Sequence, residues 1–230
     1  MTAQKSMNPK QRVAVHAANL VEVDMVVGLG TGSTANLFIE ALAERNRDEQ
    51  LNLTVVSSSA ISAVKAEQAG LNVTAIDTLN HIDMYVDGAD EVTPDLTLLK
   101  GRGQDLVREK LLASAADQFY VLVDEGKLVE QIGDKFPIPV EVMPEAWKLV
   151  LGELKKQGGH GELRLNAGGD NVAVTAHGSL VLDMHFEHVD SLELTMMLDT
   201  IPGVVEHGIF SELATAVFIG GEQEVEEHWR

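Results

Sequence analysis

"VVGLGTGSTA", residues 26–35, is an apolar run that breaks into a glycine-rich turn and then into small hydroxyl residues at the head of a helical pattern. A strand followed by such a turn and a helix aims free backbone N–H groups at an anion, and phosphate is the obvious candidate. Gly28, Gly30 and Gly32 do not complete G-x-G-x-x-G, because the third position after Gly30 is Ser33, and the G-K-[ST] of the Walker pattern is missing. Nucleotide binding is therefore not favoured. Thr31, Ser33 and Thr34 add hydroxyl donors around Gly32, which suits a small phosphate monoester. The alternative is a tight strand-to-helix turn in which Thr34 or Ser33 is merely the N-cap.

Outward from this turn, strand-like and helix-like segments alternate through about residue 130, which predicts a mainly parallel sheet flanked by helices, an α/β class. Helices are expected near 13–21, 34–45, 60–69 and 105–116. Strands are expected at 24–28, 53–57, 72–75, 84–86, 96–99 and 119–123. The grammar then changes. Pro137, Pro139 and Pro144 predict a strand at a sheet edge rather than a central one, because proline cannot donate to the ladder. A helix over 145–157 stops at Gly158 and Gly159, and strands at 162–165, 171–176 and 179–184 precede a helix over 191–199 and an apolar stretch from Val204. This β-α-β-β-α-β order predicts a small α+β domain. The expected division is a first domain of residues 1–130 completed by 206–230, with 131–205 as the second domain, the run 214–219 returning to the first sheet.

The chain has 230 residues, 17 basic against 36 acidic side chains and a formal charge of −19. That balance repels nucleic acid and anionic membranes, so neither is an expected partner, and any cationic pocket for an anionic substrate is a local exception. No apolar run approaches the roughly 18 residues of a membrane span, the N-terminus lacks a secretory h-region, and no cysteine is present. The expectation is a soluble, cytoplasmic protein.

Three further stretches carry chemistry. "YVDGADEV", residues 85–92, sets Asp87 and Asp90 around Gly88 and Ala89 at the end of a strand, the edge where open α/β sheets bind ligands. Such carboxylates would orient hydroxyls, shuttle protons or sit in an Asx-turn; a metal is disfavoured for want of a third ligand. "LLKGRGQDLVREKLL", residues 98–112, joins Lys100 to a loop with Gly101, Arg102 and Gly103, and places Glu109 on the following helix. A lysine beside glycine-freed amides supplies the ingredients of a pocket for a developing oxyanion; otherwise Glu109 belongs to an ordinary charged first turn. "VDEGK" puts Lys127 beyond another strand end, a candidate phosphate contact. His185 and His188 have H-x-x-H spacing without an obvious third ligand, so no metal site is expected.

Taken together, "VGLGTGSTA", "SSSA", "VDGADEV", "LLKGRGQDLVREK", "VDEGK", "KFPIPVEV" and "IPGVVEHGIF", in that order over nearly the whole chain, resemble the type A family of ribose-5-phosphate isomerases. The resemblance implies that the mainly parallel sheet is a Rossmann-like catalytic domain and the second a smaller ferredoxin-like α+β domain, and it implies interconversion of D-ribose 5-phosphate and D-ribulose 5-phosphate without metal or organic cofactor, in a homodimer or homotetramer. It makes Thr31, Gly32, Ser33 and Thr34 the phosphate and substrate loop, and Asp87, Gly88, Ala89 and Asp90 the acidic stretch beside the sugar. Lys100, Gly101, Arg102 and Gly103 become the oxyanion loop, Glu109 the general base, and Lys127 a substrate-binding lysine; the catalytic set is Glu109, Asp87, Asp90 and Lys100.

Two positions depart from the family pattern. Arg102 stands where the loop usually has glycine, and either points outward with the amides still usable or alters substrate choice. Ala60 replaces a frequent acidic residue. The competing readings are a non-catalytic sugar-phosphate sensor, which should carry a basic DNA-binding segment that this chain lacks, and another sugar-phosphate enzyme of the same fold.

Overall fold

The computed structural model describes residues 7–187 and 190–230. Its first half runs α1 (Pro9–Ala18), β1 (Val26–Leu29), α2 (Ser33–Glu49), β2 (Thr54–Ser57), α3 (Ala60–Gln68), β3 (Asn72–Val73), β4 (Ile82–Gly88), β5 (Glu91–Val92), β6 (Leu98–Leu99), α4 (Leu106–Ala115) and β7 (Ala116–Asp124). There follow β8 (Ile138–Val142), α5 (Trp147–Lys156), β9 (His160–Leu163), β10 (Leu180–His185), α6 (Ser191–Asp199), β11 (Val204–His207), β12 (Ile209–Phe210), β13 (Ala216–Gly220) and β14 (Val225–Trp229). Among the described residues no helix is long and apolar enough to cross a membrane.

The chain forms two compact units, one of Met1–Ala89, Leu111–Lys127 and Leu213–Arg230, the other of Asp90–Lys110 and Leu128–Glu212. The first holds a seven-stranded sheet in the order β14-β13-β7-β4-β1-β2-β3. All its pairings are parallel except β13 with β14. The chain leaves β1 toward β2 and β3, then resumes on the other side at β4, so the connectivity reverses between β1 and β4, where open α/β sheets bind ligands. Helices form where apolar residues recur at a spacing of four: Val13 and Ala17 on α1, Phe38 and Leu42 on α2, all buried in one cluster with Val27, Leu29, Val55 and Val86 of the sheet. Burying each of the valine, leucine and phenylalanine side chains is worth about 1.5–3 kcal/mol. α1 starts at a capping box, Asn8 accepting from the Gln11 amide while the Gln11 side chain accepts from the Asn8 amide, with Pro9 in the first turn.

The second unit contains an antiparallel sheet in the order β11-β8-β10-β9. With α5 and α6 between its strands this is the expected β-α-β-β-α-β unit. Three expectations fail. β8, which contains Pro139, is an inner strand between β11 and β10, not an edge. The proline is tolerated because it faces Gly208, just past the end of β11, whose carbonyl takes the Lys100 amide in place of the donor that proline lacks, and Gly208 has no side chain to strike the ring, a Cβ there falling 2.7 Å from the proline Cδ. Residues 171–176 form only isolated bridges, because the chain bends at Thr175, whose carbonyl and hydroxyl accept the amides of Gly178 and Ser179. The stretch 96–99 does not join the parallel sheet. Leu96 turns at φ 62, and Leu98–Leu99 pairs antiparallel with β5 and β12 in a separate three-stranded sheet.

Candidate active site

The candidate residues of the first unit gather at the carboxyl edge of β1, β4 and β7, three adjacent strands. In β4, Tyr85 and Asp87 pack toward β1, which answers with glycines in the strand and just past its end: a Cβ at Gly28 would lie 2.7 Å from the Tyr85 ring and one at Gly30 would fall on the Asp87 carboxylate. Asp87 is buried. Its Oδ1 accepts the amides of Thr31 at 3.0 Å and Gly88 at 2.7 Å, and its Oδ2 accepts the Tyr85 hydroxyl at 2.6 Å. The Thr31 bond spans the reversal between β1 and β4. Gly88, which ends the strand, and Ala89 just beyond it are half-buried.

The N-cap of α2 is Gly32, at φ 118, without a side-chain cap; neither Ser33 nor Thr34 caps the helix. The first-turn amides are thus left for an outside acceptor. Thr31 turns its hydroxyl inward, 2.9 Å from Ser58 Oγ and 2.7 Å from Ser59 Oγ, and Ser62 Oγ closes the cluster on the Gly30 carbonyl at 2.8 Å. Ser33 is exposed and accepts from Lys10 Nζ at 3.1 Å, which brings a cation to the helix N-terminus that sequence reading did not single out. Lys127 lies half-buried in a short 3-10 turn, Glu125–Lys127, directly after β7.

In the second unit, Lys100 follows β6 and Glu109 sits on α4. Both are buried, and Lys100 Nζ lies 3.2 Å from Glu109 Oε2. The Lys100 amide is tied to the Gly208 carbonyl at 2.8 Å, and its ammonium stands 5.7 Å from the centre of the Phe210 ring. Two buried charges are tolerated because each answers the other. In the intervening loop the positive φ falls on Gly101, at 93, whereas Arg102 is not at positive φ. Its guanidinium lies 4.0 Å from the centre of the Phe136 ring, so the side chain is parked on an aromatic face outside the run of amides. Asp90 Oδ2 faces the Arg102 amide at 3.4 Å.

Sequence reading missed what holds this loop. Arg164 Nη1 donates to the carbonyls of Gly101 at 2.8 Å, Arg102 at 3.3 Å and Gly103 at 2.8 Å. The rest of its guanidinium grips Asp183, Nε to Oδ2 at 2.9 Å and Nη2 to Oδ1 at 2.5 Å. Glu91, also unremarked in the sequence, is fully buried and accepts the amides of Gly133, Lys135 and Phe136 at 2.6, 2.7 and 2.8 Å.

Asp199, Glu206 and His207 bring donor atoms within 4.8 Å of one another. Glu206 is already bonded to Lys110 Nζ at 2.5 Å, and His207 Nδ1 accepts the Ile209 amide at 3.3 Å, so a cation there would meet an ammonium and a spent ligand. Of the H-x-x-H pair, His188 lies outside the described residues.

A family model described as ribose 5-phosphate isomerase A (phosphoriboisomerase A) matches residues 54–224. Ribose-5-phosphate isomerase A of Pyrococcus abyssi is 41% identical over 218 residues, covering 94% of this chain and 95% of its own. Among solved structures, ribose 5-phosphate isomerase A from Methanocaldococcus jannaschii aligns with a TM-score of 0.92 at 38% identity, over 96% of this chain and 98% of the other. A D-ribose-5-phosphate isomerase in complex with phospho-erythronic acid aligns with a TM-score of 0.93 at 39% identity, over 97% and 100%. The fold, the order of the motifs and these likenesses agree: the chain belongs to the ribose 5-phosphate isomerase A family.

Proposed function

We propose that this chain interconverts D-ribose 5-phosphate and D-ribulose 5-phosphate through an enediolate, with Glu109 as the base that moves a proton between C2 and C1. The observation that carries the reading is the buried Lys100–Glu109 pair at 3.2 Å. A proton beside a carbonyl is weakly acidic, so its removal needs a carboxylate at hand and a cation for the charge that appears on oxygen. As Glu109 takes the C2 proton it loses its charge, and the enediolate oxygen gains one. Lys100 then passes from one anion to the other, and the buried region holds one positive and one negative charge throughout. Transfer of the C2 hydroxyl proton to the C1 oxygen, with return of the carbon proton from Glu109 to C1, leaves a ketone at C2 and a hydroxyl at C1. The amides of the Gly101–Gly103 loop would share the oxyanion.

Asp87 would move a hydroxyl proton as the furanose ring opens, and Asp90 would orient the open chain. The first-turn amides of α2, with Ser33, Thr34, Lys10 and Lys127, would take the phosphate. Phospho-erythronic acid, held by a solved relative, carries a carboxylate where the enediolate carries its charge, and this supports the proposed intermediate. The same reading includes a homodimer or homotetramer, a cytoplasmic location, and the division of the chain into a domain of residues 1–130 with 206–230 and another of 131–205.

The test is ketopentose phosphate formation from D-ribose 5-phosphate by purified protein with a metal chelator present. Wild type should convert it rapidly. Glu109→Gln should lose at least ~100-fold in kcat while still binding phospho-erythronic acid. Because the variant leaves the Lys100 ammonium buried without its carboxylate, a stability loss of about 3–5 kcal/mol is expected, and its urea midpoint must be read alongside. Near-normal turnover by folded Glu109→Gln removes Glu109 from the mechanism. No conversion by folded wild type would move the assignment to a different sugar phosphate or to a sensor.

A further inference from the structure

We propose that Arg164, anchored by Asp183, is a positioning residue for the reaction: it sets the direction in which the Gly103 and Gln104 amides point. The proposal rests on the reading of the loop as the cradle of the enediolate oxygen. A peptide unit is planar and trans, so the carbonyl of one residue and the N–H of the next point opposite ways. Nη1 of Arg164 draws the carbonyls of Gly101, Arg102 and Gly103 to one side. The N–H groups of Arg102, Gly103 and Gln104 are thereby turned to the other. The following carbonyl, that of Gln104, is pinned by the Ala176 amide at 3.3 Å. Arg102 N–H faces Asp90, whereas among the described residues the Gly103 and Gln104 amides have no acceptor. Two adjacent amides, aligned and unspent, are what a developing oxyanion requires.

The choice of residue fits the task. Guanidinium keeps its charge, and its flat fork satisfies Asp183 with two donors while a third nitrogen serves the loop. Asp183 fixes the fork from β10, whose register sets Leu182 opposite Leu163, so that Arg164 follows directly past the end of β9. A cation on the carbonyl side also polarises each peptide and strengthens its N–H as a donor. Glycines alone would leave the loop free to turn these amides elsewhere, and misplacement of about 1 Å at a reacting group can cost ~100-fold in rate.

The experiment uses the full-length chain with Arg164→Met, Arg164→Lys and Asp183→Asn, reading kcat, KM, and the affinities for phospho-erythronic acid and for inorganic phosphate. Arg164→Met should lower kcat by about 10-fold to 100-fold and weaken phospho-erythronic acid by a similar factor, with inorganic phosphate affinity unchanged. Arg164→Lys should recover part of both, and Asp183→Asn should fall between. Wild-type kcat and phospho-erythronic acid affinity in folded Arg164→Met would overturn the proposal, as would equal losses for phospho-erythronic acid and phosphate, which mark general disorder. If Arg164→Met does not fold, Arg164→Lys and Asp183→Asn decide by the same criteria. A wild type that neither converts D-ribose 5-phosphate nor binds phospho-erythronic acid sinks the underlying function instead, whereas active wild type with unaffected variants sinks the positioning role alone.

Discussion

Gly30 and Asp87 are far apart in sequence, yet the missing side chain of one makes the room occupied by the other, since a Cβ at Gly30 would sit 2.1 Å from the Asp87 carboxylate. His207 shows the opposite case, a side chain wholly enclosed. It is 1% exposed, and burial together with the Lys110 ammonium lowers its pKa to about 3. The Ile209 amide donates to Nδ1, so the neutral ring carries its proton on Nε2, 3.2 Å from Asp199 Oδ1. The native pKa lies below the free value of 6.5, so on acidification the unfolded chain takes up a proton that the native ring refuses until about pH 3. Stability from this group is therefore complete above pH 6.5 and falls as the pH drops through that window. Between pH 7 and 4.5 the wild type should lose on the order of 2 kcal/mol more than His207→Gln. Urea midpoints of both proteins at the two pH values check this, and an equal loss would show that His207 is protonated in the fold. Lys110, Glu206 and Asp199, the charged groups around the ring, are common to both proteins.

Among elements, β5 is short but does more than pair. Glu91 opens it, and its carboxylate gathers three amides of the segment that ends at Phe136, the ring on which the Arg102 guanidinium rests at 4.0 Å. Glu91→Gln replaces one acceptor oxygen with a donor facing an N–H, which should cost about 1–3 kcal/mol. A urea midpoint lowered accordingly at unchanged m-value is the expected result; an unchanged midpoint would mean that water serves those amides equally well. The elements legible in the sequence are those whose signal is local. The turn at Gly32, the helix Ser191–Asp199 capped by Asp190, and the stop at Gly158 each carry their own chemistry in a few adjacent residues. What could not be read depends on residues far along the chain. Pro139 lies in an inner strand because Gly208 makes room for it, and Arg164 reaches the loop because β9 pairs with β10. The charged strand Val225–Trp229, where no element is expected from the sequence, is the antiparallel edge of the large sheet, where acidic side chains discourage further pairing. Within the candidate site, the carboxylates and lysines stood out because their motifs place them at strand ends. Their supports did not, since a lone arginine between Leu163 and Leu165 carries no local mark.

For the molecule as a whole the dominant number is the charge, −19 from 36 acidic and 17 basic residues. An anionic sugar phosphate approaching such a chain is repelled at long range, so a site that holds it must supply local cations and N–H or O–H donors. The same excess works against the folded state, because folding crowds carboxylates that the unfolded chain keeps apart. Buried or part-buried pairs such as Lys100–Glu109 and Arg164–Asp183 are screened little by salt, whereas repulsion between exposed carboxylates acts over distances comparable with the Debye length, about 30 Å at 0.01 M and 10 Å at 0.1 M. Added sodium chloride should therefore relieve more repulsion than it weakens attraction. Raising it from 10 to 200 mM is expected to stabilise the fold by about 1 kcal/mol, a rise in Tm of roughly 2–4 °C for a chain of this size. Thermal melts across that range, at pH 7 and without sulfate or phosphate, read the effect. A Tm that falls steadily would mean that favourable ion pairs, rather than the net charge, dominate the electrostatics of the fold.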